Sequence, residues 1–263
     1  YGPYKEAKDK LIKYHCYNPE KQDYTYVDPL LTNTKIVING GLFGYDKKKI
    51  DGIYAGGSGY MSKGLWTAKL AKPSTTGGNV YGKTGNKVVS LTINGGEFHC
   101  DKGIFAGGRG TDFYYSENPY GGTASEYTEL GKTYGNVELN ISGGTFYCPV
   151  FGGGYGVADA VEKSTSTVNT LYDMARIYGR SFVNITGGTF YKDIYGGGDM
   201  AVVEFDGDAT NVVIGDKADI RGSVFAGGNG RKLRPSDVKY SKGDGYTQPV
   251  SYTHLRAHET ELH

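Results

Sequence analysis

VELNISGGTFYCPVFGGGYG, residues 137–156, alternates apolar and polar residues, breaks at a glycine pair, resumes at a phenylalanine and ends in a second glycine block. The alternation sets Val137, Leu139 and Ile141 on one face of a strand and Glu138 and Asn140 on the other. Paired glycines allow positive φ or a tight corner, so the chain turns without ending the element pattern. The same lines recur as KIVINGGLF at 35–43, SLTINGGEF at 90–98 and FVNITGGTF at 182–190. Their second glycine blocks read IYAGGSG at 53–59, IFAGGRG at 104–110 and IYGGGDM at 194–200. A degenerate fifth copy, NVVIGDKADIRGSVFAGGNG, spans 211–230.

The glycine pairs Gly40-Gly41, Gly95-Gly96, Gly143-Gly144 and Gly187-Gly188 start 55, then 48, then 44 residues apart. Unequal intervals around a constant pattern mean insertions into a repeated core of about twenty residues, the size of one solenoid coil. The reading is all-β: a right-handed parallel β-helix (β-solenoid) with long insertion loops, its coils occupying 35–230. Stacking at about 4.8 Å would make one ladder of Ile38, Ile93, Ile141, Ile185 and Ile214 and another of Phe43, Phe98, Phe146 and Phe190. The alternative is a kelch-type β-propeller, whose repeats near 50 residues also carry a glycine doublet. Against it stand two glycine blocks per repeat and a single Trp in the chain.

Composition narrows the function. Of 263 residues, 43 are Gly and only 8 are Pro, without the three-residue period of collagen. Lys+Arg 29 against Asp+Glu 28 leaves a net charge of +1, which argues against a nucleic-acid partner. No run is long and apolar enough for a transmembrane segment. Cys100 and Cys148 fall at the same position of successive repeats; a disulfide and a pair of small buried thiols both fit that register.

Several motifs tempt a chemical reading. GGNVYGKT at 77–84 has the spacing of a phosphate-binding loop, but that loop must follow a buried strand and open a helix. Here GNKVVSLTI follows, the first strand of the next coil, and LGKTYG at 130–135 repeats Gly-Lys-Thr in a corresponding place. A structural turn is expected, with no nucleotide and no cofactor. GGRGTDFYY at 107–115 fits a calcium-binding nonapeptide, yet the equivalent stretches lack an acid at the position of Asp112, so no metal site is expected. Catalysis would need acids projecting from neighbouring coils, and no acid recurs on adjacent coils; Asp193, Asp199 and Glu204, near the fourth coil, are the set that could assemble a site.

The variable parts are the insertions, running roughly 60–86, 111–135 and 157–180, with 1–34 as the end of an earlier one and 231–249 as a loop or the start of another coil. A short helix could fall at 167–178. Trp66, Tyr114, Tyr115 and Tyr120 lie in these insertions, as do Tyr134 and Tyr178. Rings with a polar handle suit a carbohydrate or a surface protein, so the first four are the candidate ligand-binding residues.

The pattern VxIxGGxFxxxVYGGG, as it stands in the third and fourth repeats, resembles repetitive extracellular β-helix proteins of gut anaerobic bacteria. That resemblance implies a secreted or cell-surface scaffold acting in adhesion and brings no catalytic residue with it. A polysaccharide lyase or glycoside hydrolase, and a purely structural envelope component, are the competing classes. Residues 250–260 (VSYTHLRAHET) resemble a translated sequencing adapter, so 250–263 is set apart from the fold and the chain is read as a fragment.

Overall fold

The computed structural model describes residues 14–18, 23–27, 33–59, 76–82, 85–110, 129–156 and 174–230. Tyr14–Asn18 and Asp23–Val27 form an antiparallel hairpin on their own. From 33 to 230 the described residues wind through five coils, and equivalent strands of successive coils pair in parallel. Pairing runs between repeats and not within them, which removes the propeller and makes the architecture a parallel solenoid.

Each coil begins with the alternating strand. Thr34–Ile38, Lys87–Ile93, Asn136–Ile141, Ser181–Phe190 and Thr210–Ile220 lie side by side. Ile38, Ile93, Ile141, Ile185 and Ile214 share one register, as the alternation requires. Val137, Leu139 and Ile141 are buried, whereas Glu138 and Asn140 are only half-buried. After the glycine corner the chain forms a second face, where Phe43, Phe98, Phe146 and Phe190 stack inside at 4.9, 4.9 and 4.4 Å. A third face follows from Ile50–Tyr54, Cys100–Phe105, Val150–Phe151, Ile194–Tyr195 and Val224–Phe225.

The fourth face was not expected. Val80–Tyr81, Thr133–Tyr134, Ile177–Tyr178 and Val203–Glu204 pair in parallel and return the chain to the next coil. The coil is therefore about thirty residues, not twenty: Asp199 and Asn229, bonded across the one insertion-free coil, are 30 positions apart. The insertions are correspondingly shorter than the sequence reading made them, because 76–82, 129–135 and 174–179 belong to the coil. Tyr134 and Tyr178 are thus not loop residues; they stack on each other at 4.8 Å, and Tyr134 stacks on Tyr81 at 5.1 Å. The end of the expected helix at 167–178 is likewise a turn and a strand, since Ile177 must continue the column of Val80, Thr133 and Val203.

The two glycine blocks do different work. At the first, Gly41, Gly96, Gly144 and Gly188 have φ of +112°, +119°, +114° and +109°, a region that side chains with a Cβ rarely enter. At the second, the chain leaving the third face runs against the chain returning to the fourth. A Cβ on Gly57 would collide with the Gly78 carbonyl, and one on Gly108 with the Gly131 carbonyl. The second block is glycine because two backbones touch there.

Thr76–Gly77 and Val80–Tyr81 are two-residue strands, and the next described element, Lys87–Ile93, is a strand where a phosphate-binding loop would open a helix. The register also corrects the expected alignment of the two Gly-Lys-Thr copies. Leu130 pairs with Gly77 and Tyr134 with Tyr81, which sets LGKTYG beside GGNVYG and places Lys132 opposite Asn79, whose side chain accepts the Lys132 N–H at 2.8 Å.

Thr133 faces inward between Val80 and Ile177, fully buried, and its hydroxyl has no hydrogen-bond partner. A stranded hydroxyl costs about 1–3 kcal/mol, so Thr133→Val should raise the unfolding free energy by about 1–2 kcal/mol in urea titration. Gly108→Ala should lower it by about 2 kcal/mol or more, because neither contacting backbone can move without breaking pairing.

Candidate functional site

On the third face, residues alternate about the sheet. Ile53, Ile104, Val150 and Ile194 enter the core, so Tyr54, Phe105, Phe151, Tyr195 and Phe225 point outward. These five rings stack along the solenoid axis at 5.1, 4.7, 4.8 and 5.0 Å, with ring planes within 12° of parallel. Four residues further along each strand, Ser58, Arg109, Tyr155, Asp199 and Asn229 form a second column, joined by parallel bridges. Position by position, this column stands where the chain leaves the coil.

The second column folds over the first. Tyr155 packs edge-on against Phe105 at 5.6 Å, and Arg109 lies over Tyr54 at 5.6 Å. Arg109 is held by Asp51 through Nε at 3.1 Å and a terminal nitrogen at 3.3 Å. Lys102 Nζ sits 5.4 Å from the Tyr155 ring. Asp199 accepts a hydrogen bond from the Asn229 amide at 3.0 Å. Burial pushes its carboxyl up to about 6, against the opposing pull of the Asn229 hydrogen bond and the Lys102 charge. Asp193 accepts from the Tyr195 hydroxyl at 3.2 Å and from the Ser223 N–H at 2.8 Å. Partial burial, with Asp193 beside it, pushes the Tyr195 phenol up to about 12.

The three acids proposed from sequence do not converge. Asp193 and Asp199 share the third face, while Glu204 belongs to the fourth, where it pairs with Arg176 at 3.4 Å. Among the described residues no group of three or more His, Cys, Asp or Glu could hold a metal ion, and no helix is long and apolar enough to cross a membrane. Cys100 and Cys148 are buried free thiols in contact with each other. That hydrogen bond and burial push the Cys100 thiol well above the usual range. Trp66, Tyr114, Tyr115, Tyr120 and Asp112 lie outside the described residues, as does the segment 250–263.

A second outer column escaped the sequence reading. His99, Tyr147 and Tyr191 stack at 4.4 and 4.7 Å, and Arg221 closes the column 4.6 Å from the Tyr191 ring. His99 reaches Glu97 at 2.7 Å and Asp46 at 3.2 Å through its two ring nitrogens. The signal was present: each residue follows a ladder phenylalanine, as in Phe98-His99, Phe146-Tyr147 and Phe190-Tyr191. No protein family, curated protein or solved structure matches the chain.

Asp199 yields a pH prediction. Its value in the fold, about 6, lies above the ordinary 3.8, so the protonated form is favoured by folding and stability contributed by this group falls as pH rises between about 4 and 6. Each pH unit of that difference is worth about 1.4 kcal/mol. Urea unfolding of wild type and Asp199→Asn should agree near pH 4, and the variant should be more stable by about 2–3 kcal/mol at pH 7.

Proposed function

We propose that the chain is a non-catalytic scaffold, a right-handed parallel solenoid outside the cell that presents its insertions to a carbohydrate or a surface protein in adhesion. The observation that carries this reading is the stacking of the insertion stems. Gly59, Gly110 and Gly156 leave successive coils at equivalent points, each donating its N–H to the next coil, to Arg109, Tyr155 and Asp199 carbonyls at 2.7, 2.7 and 2.8 Å. The chain returns in register, with Glu129 beside Thr76 and Leu130 beside Gly77. In the coil that carries no insertion, only Met200–Val202 separates Asp199 from the fourth face. The insertions at 60–75, 111–128 and 157–173 are therefore additions to a coil that closes without them; their points of departure line one edge, and their sequences carry Tyr and Trp.

Deleting 157–173 should leave the coil folded, with unchanged β-type circular dichroism and cooperative melting. On a glycan array and on immobilised cell-surface proteins, Trp66→Ala with Tyr114→Ala and Tyr115→Ala should weaken binding by about tenfold or more without loss of fold, equivalent to about 1.4 kcal/mol. Binding indifferent to these substitutions would remove the adhesive reading. The raised Asp199 carboxyl beside Lys102 favours polysaccharide cleavage as a second reading; release of new reducing ends, abolished by Asp199→Asn, would establish it.

A further inference from the structure

The two ends of the solenoid differ from its middle. In the central coils the inward isoleucines Ile93, Ile141 and Ile185 are at most 1% exposed, but Ile214, in the same column of the last coil, is 38% exposed. Val213, Val224 and Phe225 beside it are 54%, 43% and 43% exposed. At the other end Ile38, in the same column, is 9% exposed, while Val37, Leu42 and Tyr45 are 47%, 63% and 52% exposed. Among the described residues, only Tyr147 and Tyr191 are large apolar side chains left exposed elsewhere. Among the described residues each end also presents an open row of backbone groups: Thr210–Ile220 and Val224–Phe225 pair on one side only, as do Thr34–Ile38, Leu42–Phe43 and Ile50–Tyr54. Unpaired rows of this kind accept another strand.

The ends are opposite in charge. The first coil, 33–59, carries Lys35, Lys47, Lys48 and Lys49 against Asp46 and Asp51, four positive charges to two negative. The last, 203–230, carries Glu204, Asp206, Asp208, Asp216 and Asp219 against Lys217 and Arg221, five negative to two positive. They are also matched in shape, because both are cross-sections of one coil. Setting one end on the other at the usual strand spacing would place Ile214 on Ile38, Ile220 on Phe43 and Phe225 on Tyr54, so two inner columns and the outer aromatic column continue across the joint.

We propose that the partner of these surfaces is a second copy of this chain, added head to tail: the acidic, apolar last coil of one molecule pairs in parallel with the basic, apolar first coil of the next. Such a contact joins two different patches and does not close, so association proceeds past the dimer. Sedimentation velocity of the full chain, from low to several hundred micromolar, should show mass rising continuously with concentration, and rising less at about 0.5 M than at about 0.05 M salt. Val213→Lys with Phe225→Lys blocks one end, and Leu42→Lys with Val37→Lys blocks the other. Each doubly substituted chain alone should be monomeric, and an equimolar mixture should stop at a dimer. Lys47→Glu, Lys48→Glu and Lys49→Glu, on exposed side chains, test the charge term without touching apolar contacts: association should weaken, and recover on mixing with Asp216→Lys, Asp219→Lys chains. Circular dichroism confirms that each variant is folded. A folded wild type that stays monomeric throughout overturns the proposal, as does a dimer that neither end-blocking pair disrupts.

Discussion

Everything in this molecule depends on in-register parallel pairing between coils. Once Ile141 lies beside Ile93 and Ile185, every other position of the coil must also meet its own equivalent, about 4.8 Å away. Like stacks on like. The consequence is a set of homogeneous columns: isoleucine inside the first face, phenylalanine inside the second, and aromatic rings outside the third and fourth. Polar residues obey the same rule. Asn94 donates to Asn39 at 2.8 Å, Ser142 donates to Asn94 at 2.9 Å, and Asn184 donates to Asn140 at 3.0 Å.

Such stacking would fail if the coil could not be pinched where the chain leaves and returns. The second glycine block provides that pinch, with Gly57 against Gly78 and Gly108 against Gly131. Backbone contact at this neck lets an insertion of any length begin and end at fixed points, separating the scaffold from what it carries. Positive φ recurs on the returning side, at Gly78 (+63°), Gly131 (+66°) and Ala175 (+54°), so the return path is conserved in shape even where the residue is not glycine. Placement of the ionic column of Arg109, Tyr155 and Asp199 at the same neck puts charge and aromatic surface at the base of the insertions.

The same regularity accounts for the unusual surfaces. Outside a coil, stacked rings offer their edges and not their faces to solvent, so Tyr147 and Tyr191 remain half-open while stacked at 4.7 Å. A half-buried Asp199 is tolerated because Asn229, its equivalent in the next coil, supplies an amide to it. Thr133 has no comparable neighbour: Val80 and Ile177 flank it, and its hydroxyl is left without a bond.

Alternation and repetition were enough, from the amino-acid sequence alone, to decide which residues of the first two faces point inward and which stack together, because a period of two and a recurring glycine pair are local facts. The columns of Ile38 and Phe43 follow from them. The fourth face was not legible, since Val80–Tyr81, Thr133–Tyr134 and Ile177–Tyr178 are two-residue strands too short to show a period, lying after insertions of different length. For the same reason Gly-Lys-Thr at 82–84 and 131–133 looked equivalent when only the three-dimensional register could show them displaced by four residues. The charged column and the meeting of Asp51 with Arg109, 58 residues apart, were likewise decided by tertiary structure, because only coiling brings side chains so distant in sequence onto one face.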